Sequence, residues 1–323
     1  MQEQTETLFD TQFEEEVHIG LTDYPKHLSS KYFYDEKGDK LFQDIMNMPE
    51  YYLTDAEFDI LSTHTDEITR LFSKDEKHFN LIELGAGDGK KTKILLQNLI
   101  DNKIDFNYLP IDISQHVLDQ LSRSLKIEIP EVVVETQQGT YFEALNEIAS
   151  LTNDKKIILF LGSNIGNLLH LQAIEFLSQV QKLMGDDDLF FVGFDQKKDP
   201  QTILDAYNDQ TGITAAFNKN ILARINSELG GNFDLDKFLH WEVYDPETGT
   251  AKSYLVSKEQ QSVTVAKLGL KINFAPWETI HTEISQKYDH RTIEWLAEKS
   301  DLQIVTQFTD SKNQYKNYVF RTV

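Results

Sequence analysis

From Phe79 to Asp195 short apolar runs alternate with segments whose apolar residues recur every three or four positions. Leu81, Ile82 and Leu84 form the first run, and Ile94, Leu95 and Leu99 follow at helical spacing. Phe106 to Ile113 then predicts a strand ending in Asp112, with Ser114 capping a helix that carries Val117, Leu118 and Leu121. Val132 to Val134 predicts a third strand. The unbroken run Ile157 to Leu161 predicts a strand buried on both faces. Ile174, Leu177, Val180 and Met184 mark a helix that Gly185 stops, and Leu189 to Phe194 makes a fifth strand closing on Asp195. Strands and helices in strict alternation predict a parallel, doubly wound α/β domain.

The flanks follow other rules. Residues 1 to about 20 are polar and acidic with little periodicity, which predicts a loosely held arm or a short helix. Six aromatic residues crowd between Tyr32 and Tyr52. Asp35 with Gly38 reads as a turn before a helix holding Leu41, Phe42 and Ile45, which Met48-Pro49 should end. Thr54 with Glu57 three residues on is a capping-box pattern opening a helix through Phe58, Ile60 and Leu61. The aromatics fit either the core of a helical subdomain or a ligand pocket, where a tyrosine hydroxyl finds its partner. Beyond Asp195 two helical patterns, Thr202 to Tyr207 and Thr214 to Leu229, precede strand-like stretches at 238–244, 252–256, 262–265 and 270–274, the text of an inserted α+β unit. After a helix at Arg291 to Lys299, the runs Leu302 to Phe308 and Asn317 to Arg321 lie too close together for a parallel crossover, so they predict an antiparallel hairpin. The expected division is a helical segment 1–60 contributing to a substrate domain, a nucleotide-type domain from 61–195 and 286–323, and an inserted domain 196–285.

Composition narrows the classes. The 323 residues, 40% hydrophobic, suffice for a full core, and no apolar run approaches the roughly 20 residues of a membrane span. The 53 acidic against 31 basic side chains leave a net charge of −22, which argues against nucleic acid as a partner. Cysteine is absent, which fits a reducing cytoplasmic setting and removes sulfur chemistry of the protein itself. The nine histidines show no ligand spacing, so no metal is expected.

The candidate chemistry starts at the turn Gly85-Ala86-Gly87-Asp88-Gly89. Glycines there allow a sharp turn and close approach of a ligand to free amides, although an ordinary tight turn has the same spacing. Glu83 repels a pyrophosphate and suits a cationic or hydroxyl-rich ligand. Asp112, some 25 residues on, stands where doubly wound folds grip a ribose. Gly162, Ser163, Asn164, Ile165, Gly166 and Asn167 follow the central strand, where a turn and a hydrogen-bonding edge are equally compatible with the text.

A parallel sheet finishing in an antiparallel hairpin is characteristic of S-adenosylmethionine-dependent methyltransferases. From about Lys31 to its end the chain resembles the histidine-specific methyltransferases, which trimethylate the α-amino group of histidine to hercynine in ergothioneine biosynthesis. The resemblance rests on KYFYDEKGDKLF, MPEYY, LIELGAGDGKKT, IDIS, LGSNIGN, FDQKKDP with LDAYND, FNKNILARIN and HTEIS, in order. It implies a Rossmann-like sheet with an inserted substrate domain, S-adenosylmethionine as cofactor and an amino acid as substrate; composition adds the expectation of a cytoplasmic protein, and a monomer is expected. It places Gly85, Gly87 and Lys91 at the methionine part of the cofactor and Asp112 at the ribose. Thr140 and Tyr141 fall where the family carries an acidic residue for the adenine. Tyr51, Asn167 and Tyr207 are assigned to the α-carboxylate and α-amine, with Tyr51 also facing the cofactor. Tyr34 lies beside the amine, so that Tyr34 and Asn167 stand as the catalytic pair. Glu283 and Ser285 are assigned to the imidazole, and the position usually apolar above that ring falls near Ser253 or Tyr254. The rival expectations are methylation of another aromatic amino acid such as tryptophan, or a non-catalytic binding protein of the same fold.

Overall fold

The computed structural model describes residues 9–74, 77–151 and 154–323. In chain order it runs through helix α1 (Gln12–Thr22), strand β1 (Lys26–His27), helices α2 (Glu36–Met46), α3 (Tyr52–Thr63) and α4 (Thr65–Phe72), then β2 (Phe79–Leu84), α5 (Thr92–Asp101), β3 (Phe106–Asp112) and α6 (Gln115–Glu128). Next come β4 (Gln137–Gln138), α7 (Tyr141–Leu151), β5 (Lys155–Phe160), α8 (His170–Gln181), β6 (Leu189–Asp195), α9 (Pro200–Tyr207) and α10 (Ile213–Leu229). The remainder is β7 (Phe238–Asp245), β8 (Thr250–Ser257), β9 (Gln261–Val265), β10 (Leu270–Phe274), β11 (Thr279–Gln286), α11 (His290–Lys299), β12 (Leu302–Thr309) and β13 (Tyr315–Thr322). Two compact units result, Met1–Tyr52 with Lys198–Ser285 and Leu53–Lys197 with Gln286–Val323.

The second unit holds a seven-stranded sheet in the order β12-β13-β6-β5-β2-β3-β4. Its inner strands are parallel, and β13 runs antiparallel to both β6 and β12. Successive residues of β2 face opposite sides, so Leu81 joins a core with Ile60, Phe72, Leu95 and Phe191, whereas Ile82 joins another with Leu145, Leu177, Phe190 and Leu296. Burial on both faces explains the continuous apolar runs of β5 and β6. The chain leaves β2 toward β3 on one side, and β5 pairs on the other, so the crevice at the carboxyl ends of β2 and β5 is the topological switch point where such folds take ligands.

The first unit has a four-stranded sheet, β1-β11-β8-β7, and a separate β9–β10 hairpin. Its core gathers Val17, Phe33, Ile45, Phe217, Ile221, Leu255 and Ile280. Asp35 caps α2 by accepting from the Gly38 amide at 2.7 Å. Gly38 thus lies inside the helix, where a Cβ would overlap the Phe33 carbonyl.

Several expectations are corrected. Of the two readings of the polar N-terminal text the short helix holds from Gln12 onward, its Phe13, Val17 and Leu21 buried, while residues 1–8 lie outside the described residues. Thr54 lies inside α3, which starts at Tyr52, so the pair Thr54 and Glu57 is no capping box. Val132 to Val134 contributes an isolated bridge, Val134 with Tyr108, and the strand proper is the short β4 at the sheet edge. β11 had no strand signal at all.

Candidate functional site

In the second unit the glycine turn is built as its residues require. Gly85, Gly87 and Gly89 all have positive φ, at 74°, 54° and 64°, which side-chain-bearing residues adopt only at a cost. The amides of Gly85 and Ala86 donate to the Ile111 carbonyl at 2.9 and 3.2 Å, locking the turn to the end of β3. The Gly87 amide donates to Asp112 Oδ2 at 3.4 Å, while Asp112 Oδ1 accepts from the Ser114 amide at 3.0 Å. A Cβ on Gly87 would meet open space, whereas one on Gly85 would stand 2.7 Å from the Tyr141 hydroxyl. Tyr141 therefore closes over the turn. Burial, and then the charge of Asp112, push its phenol up to about 12, so it stays a neutral donor. Thr140 opens α7 by exchanging hydrogen bonds with Glu143, its hydroxyl donating to Glu143 Oε2 at 2.6 Å.

Past β5 the chain turns through two successive left-handed residues, Gly162 at φ 72° and Ser163 at φ 57°. Ser163 holds this conformation because its hydroxyl accepts from the Asp195 amide and its carbonyl from the Gly166 amide. A Cβ on Gly162 would lie 3.6 Å from Lys91 Nζ, which brings the β2 and β5 turns together. Asn167 ends the short helical turn Asn164–Asn167 and is exposed.

Glu83 is engaged by the chain itself. It is buried, its Oε1 accepting from the Thr92 hydroxyl at 2.6 Å and its Oε2 from the Tyr108 hydroxyl. The hydroxyl-rich surroundings expected of a ligand are supplied by the chain itself. Burial pushes its carboxyl up to about 7, against the opposing pull of Thr92 and Tyr108.

In the first unit Tyr207 and Ser285 share a 2.7 Å hydrogen bond between hydroxyls, both residues being buried. The Tyr51 ring stands 6.1 Å from that of Tyr207, edge to face, and 6.4 Å from Phe42. Tyr34 packs edge-on against Phe42 and Phe217 and is 43% exposed. The aromatic text thus serves core and surface at once. Glu283 is half-buried on β11, two residues before Ser285. Ser253 is buried and donates to Glu242 Oε2 at 2.6 Å, while Tyr254 packs against His281.

A family model for histidine-specific, S-adenosylmethionine-dependent methyltransferases matches residues 13–322. The chain belongs to this family. It is 36% identical over 273 residues to the histidine N-alpha-methyltransferase of Mycolicibacterium smegmatis, covering 84% of this chain and 83% of that one. The protein of the same name from Mycobacterium tuberculosis is 32% identical over 300 residues, covering 93% and 92%. Ergothioneine biosynthesis protein 1 of Schizosaccharomyces pombe is 31% identical over 298 residues, which is 90% of this chain but 38% of that longer protein.

The residues of this methyltransferase suit an adenosyl amino acid better than a pyrophosphate. One ammonium, Lys91, and one strand-end carboxylate, Asp112, flank an open glycine turn closed by a phenol. This set matches a carboxylate, vicinal hydroxyls and an adjoining aromatic group. Sequence reasoning missed Glu57, which is fully buried and bound to Lys91. Its only signal was the capping pattern, which pointed to a helix start instead. No described helix is long and apolar enough to cross a membrane.

Proposed function

We propose that this methyltransferase transfers methyl groups from S-adenosylmethionine to the α-amino group of L-histidine, stepwise to Nα,Nα,Nα-trimethylhistidine (hercynine). The observation that carries the reading is the 36% identity, across 84% of the chain, to a protein named histidine N-alpha-methyltransferase. In this reading Lys91 meets the donor's carboxylate, Gly85 and Gly87 its methionine part, Asp112 its ribose hydroxyls, and Thr140 and Tyr141 its adenine end. The donor supplies an electrophilic methyl carbon on a sulfonium.

The protein's own task is then orientation. Tyr51, Asn167 and Tyr207 fix the amino acid by its carboxylate and amine, and Tyr34 with Asn167 keeps the neutral amine's lone pair in line. The amine's proton leaves to solvent, so a strong base is not required. Glu283 and Ser285 each engage one nitrogen of the imidazole, and a site built that way rejects a side chain that leaves its polar groups unpaired. We further take the enzyme to be cytoplasmic and to act as a monomer on a free amino acid.

Incubating the protein with S-adenosylmethionine and each proteinogenic amino acid, followed by mass spectrometry, tests the reading. Histidine is expected to gain one, two and three methyl groups in succession. Methylation of tryptophan in preference to histidine, or none of any amino acid, would overturn it.

A further inference from the structure

The strongest unassigned feature of the second unit is the carboxylate of Glu57, wholly buried on α3 beneath the carboxyl edge of the sheet. Its two oxygens take four donors. Oε2 accepts from Lys91 Nζ and, at 2.8 Å, from the Gly162 amide. Oε1 accepts from the Asn317 side-chain amide at 2.9 Å and the Tyr315 hydroxyl at 3.2 Å. The sheet is shaped to let it in. Gly193 lies in the middle of β6, where a Cβ would overlap both Glu57 Oε1 and the Tyr315 hydroxyl.

Every lone pair of Glu57 is thereby engaged within the chain, so it does not bind a ligand itself. Lys91 differs, because its side chain is 22% exposed and its ammonium has donors beyond the one given to Glu57. It also occupies the residue immediately before α5, where a positive charge opposes the helix dipole. Lys91 thus gains nothing from helix electrostatics at that place and is held there by Glu57.

We propose that Glu57 is a positioning residue of the methyl-donor site, aiming the Lys91 ammonium at the switch-point crevice while it anchors the turn after β5 through the Gly162 amide. This rests on the reading that Lys91 meets the donor's carboxylate. Glutamine keeps the shape of Glu57 and an oxygen for the Gly162 amide, but not the charge that holds Lys91. Glutamine also turns an amide NH2 toward Asn317 and Tyr315, so the Lys91 branch is separated by comparing the substitution with and without Lys91.

The test is calorimetric titration of the full chain with S-adenosylhomocysteine, run on wild type, Glu57→Gln, Lys91→Met and the double variant. Glu57→Gln is expected to weaken binding five-fold or more. In the Lys91→Met background the same substitution is expected to cost less than two-fold, because its effect passes through Lys91. Steady-state kinetics should show the loss in the donor KM, with kcat at saturating donor and the KM for histidine changed less than three-fold. Binding weakened less than five-fold, or losses that multiply fully in the double variant, overturn the proposal. Methylation of histidine by wild type is scored separately, so failure of the substrate reading stays distinct. If Glu57→Gln does not fold, Tyr315→Phe replaces it, keeping the charge and removing one anchor from Oε1. A two- to five-fold rise in Kd is then expected, and an unchanged Kd overturns the proposal.

Discussion

Glu83 ties stability to pH through one proton. Its folded value of about 7 lies above the ordinary 4.5, so the folded state binds that proton more tightly than the unfolded chain does. The resulting stability is complete below about pH 4.5 and is lost as pH rises through about 7, a change on the order of 3 kcal/mol. Glu83→Gln cannot titrate. Urea denaturation at about pH 5 and about pH 8 should therefore show wild type losing stability relative to the variant, and parallel profiles would contradict this. At the other end of the chain the polar pair Tyr207 and Ser285 stands beside Glu283 on β11. Glu283→Ala is expected to lower kcat/KM for histidine at least roughly ten-fold, the loss of a charge-assisted hydrogen bond. Donor affinity by calorimetry should stay within about two-fold, and equal losses in both would refute the assignment of Glu283 to the imidazole.

Among elements, legibility followed burial. β2, β5 and β6 carry apolar runs and are buried almost throughout because helices cover both faces, and the closing pair β12 and β13 was readable from its short connection. β11 was invisible for the opposite reason. Only Ile280 and Ile284 among its eight residues are apolar, since Thr282 turns inward to donate to Asn218 at 2.7 Å and Ser285 meets Tyr207. A strand whose neighbours are polar loses the alternation that betrays strands. The resemblance to a family supplied candidate site residues there that periodicity could not. Glu57 was misread because a threonine three residues ahead of a glutamate fits a helix start equally well, and only the sheet beyond it reveals where the carboxylate goes. β6 offers an element-scale test. Gly193→Ala forces a methyl group into the place of the Tyr315 hydroxyl and Glu57 Oε1, and should cost about 1–3 kcal/mol as an overpacked site. Gly185→Ala, where the nearest atom is Asp188 Oδ2 at 3.7 Å, should be near neutral. Thermal unfolding of the two variants decides, and equal melting temperatures would show that β6 yields freely.

For the molecule as a whole, the chain passes between its two units at 52/53, 197/198 and 285/286, so each unit is assembled from two separated segments. With 53 acidic against 31 basic side chains the chain carries a net charge of −22, which repels anionic polymers. Order of assembly follows from β13, which lies between β6 and β12 and sends Tyr315 and Asn317 back across 258 and 260 residues to Glu57. A ribosome adds residues at about 5–20 per second, so Glu57 waits on the order of ten seconds or more after synthesis before its last two partners exist. The hydrogen bonds of Glu57 are thus completed only by the closing strand, and a chain stopped short of β13 leaves one oxygen of a buried carboxylate without its two donors.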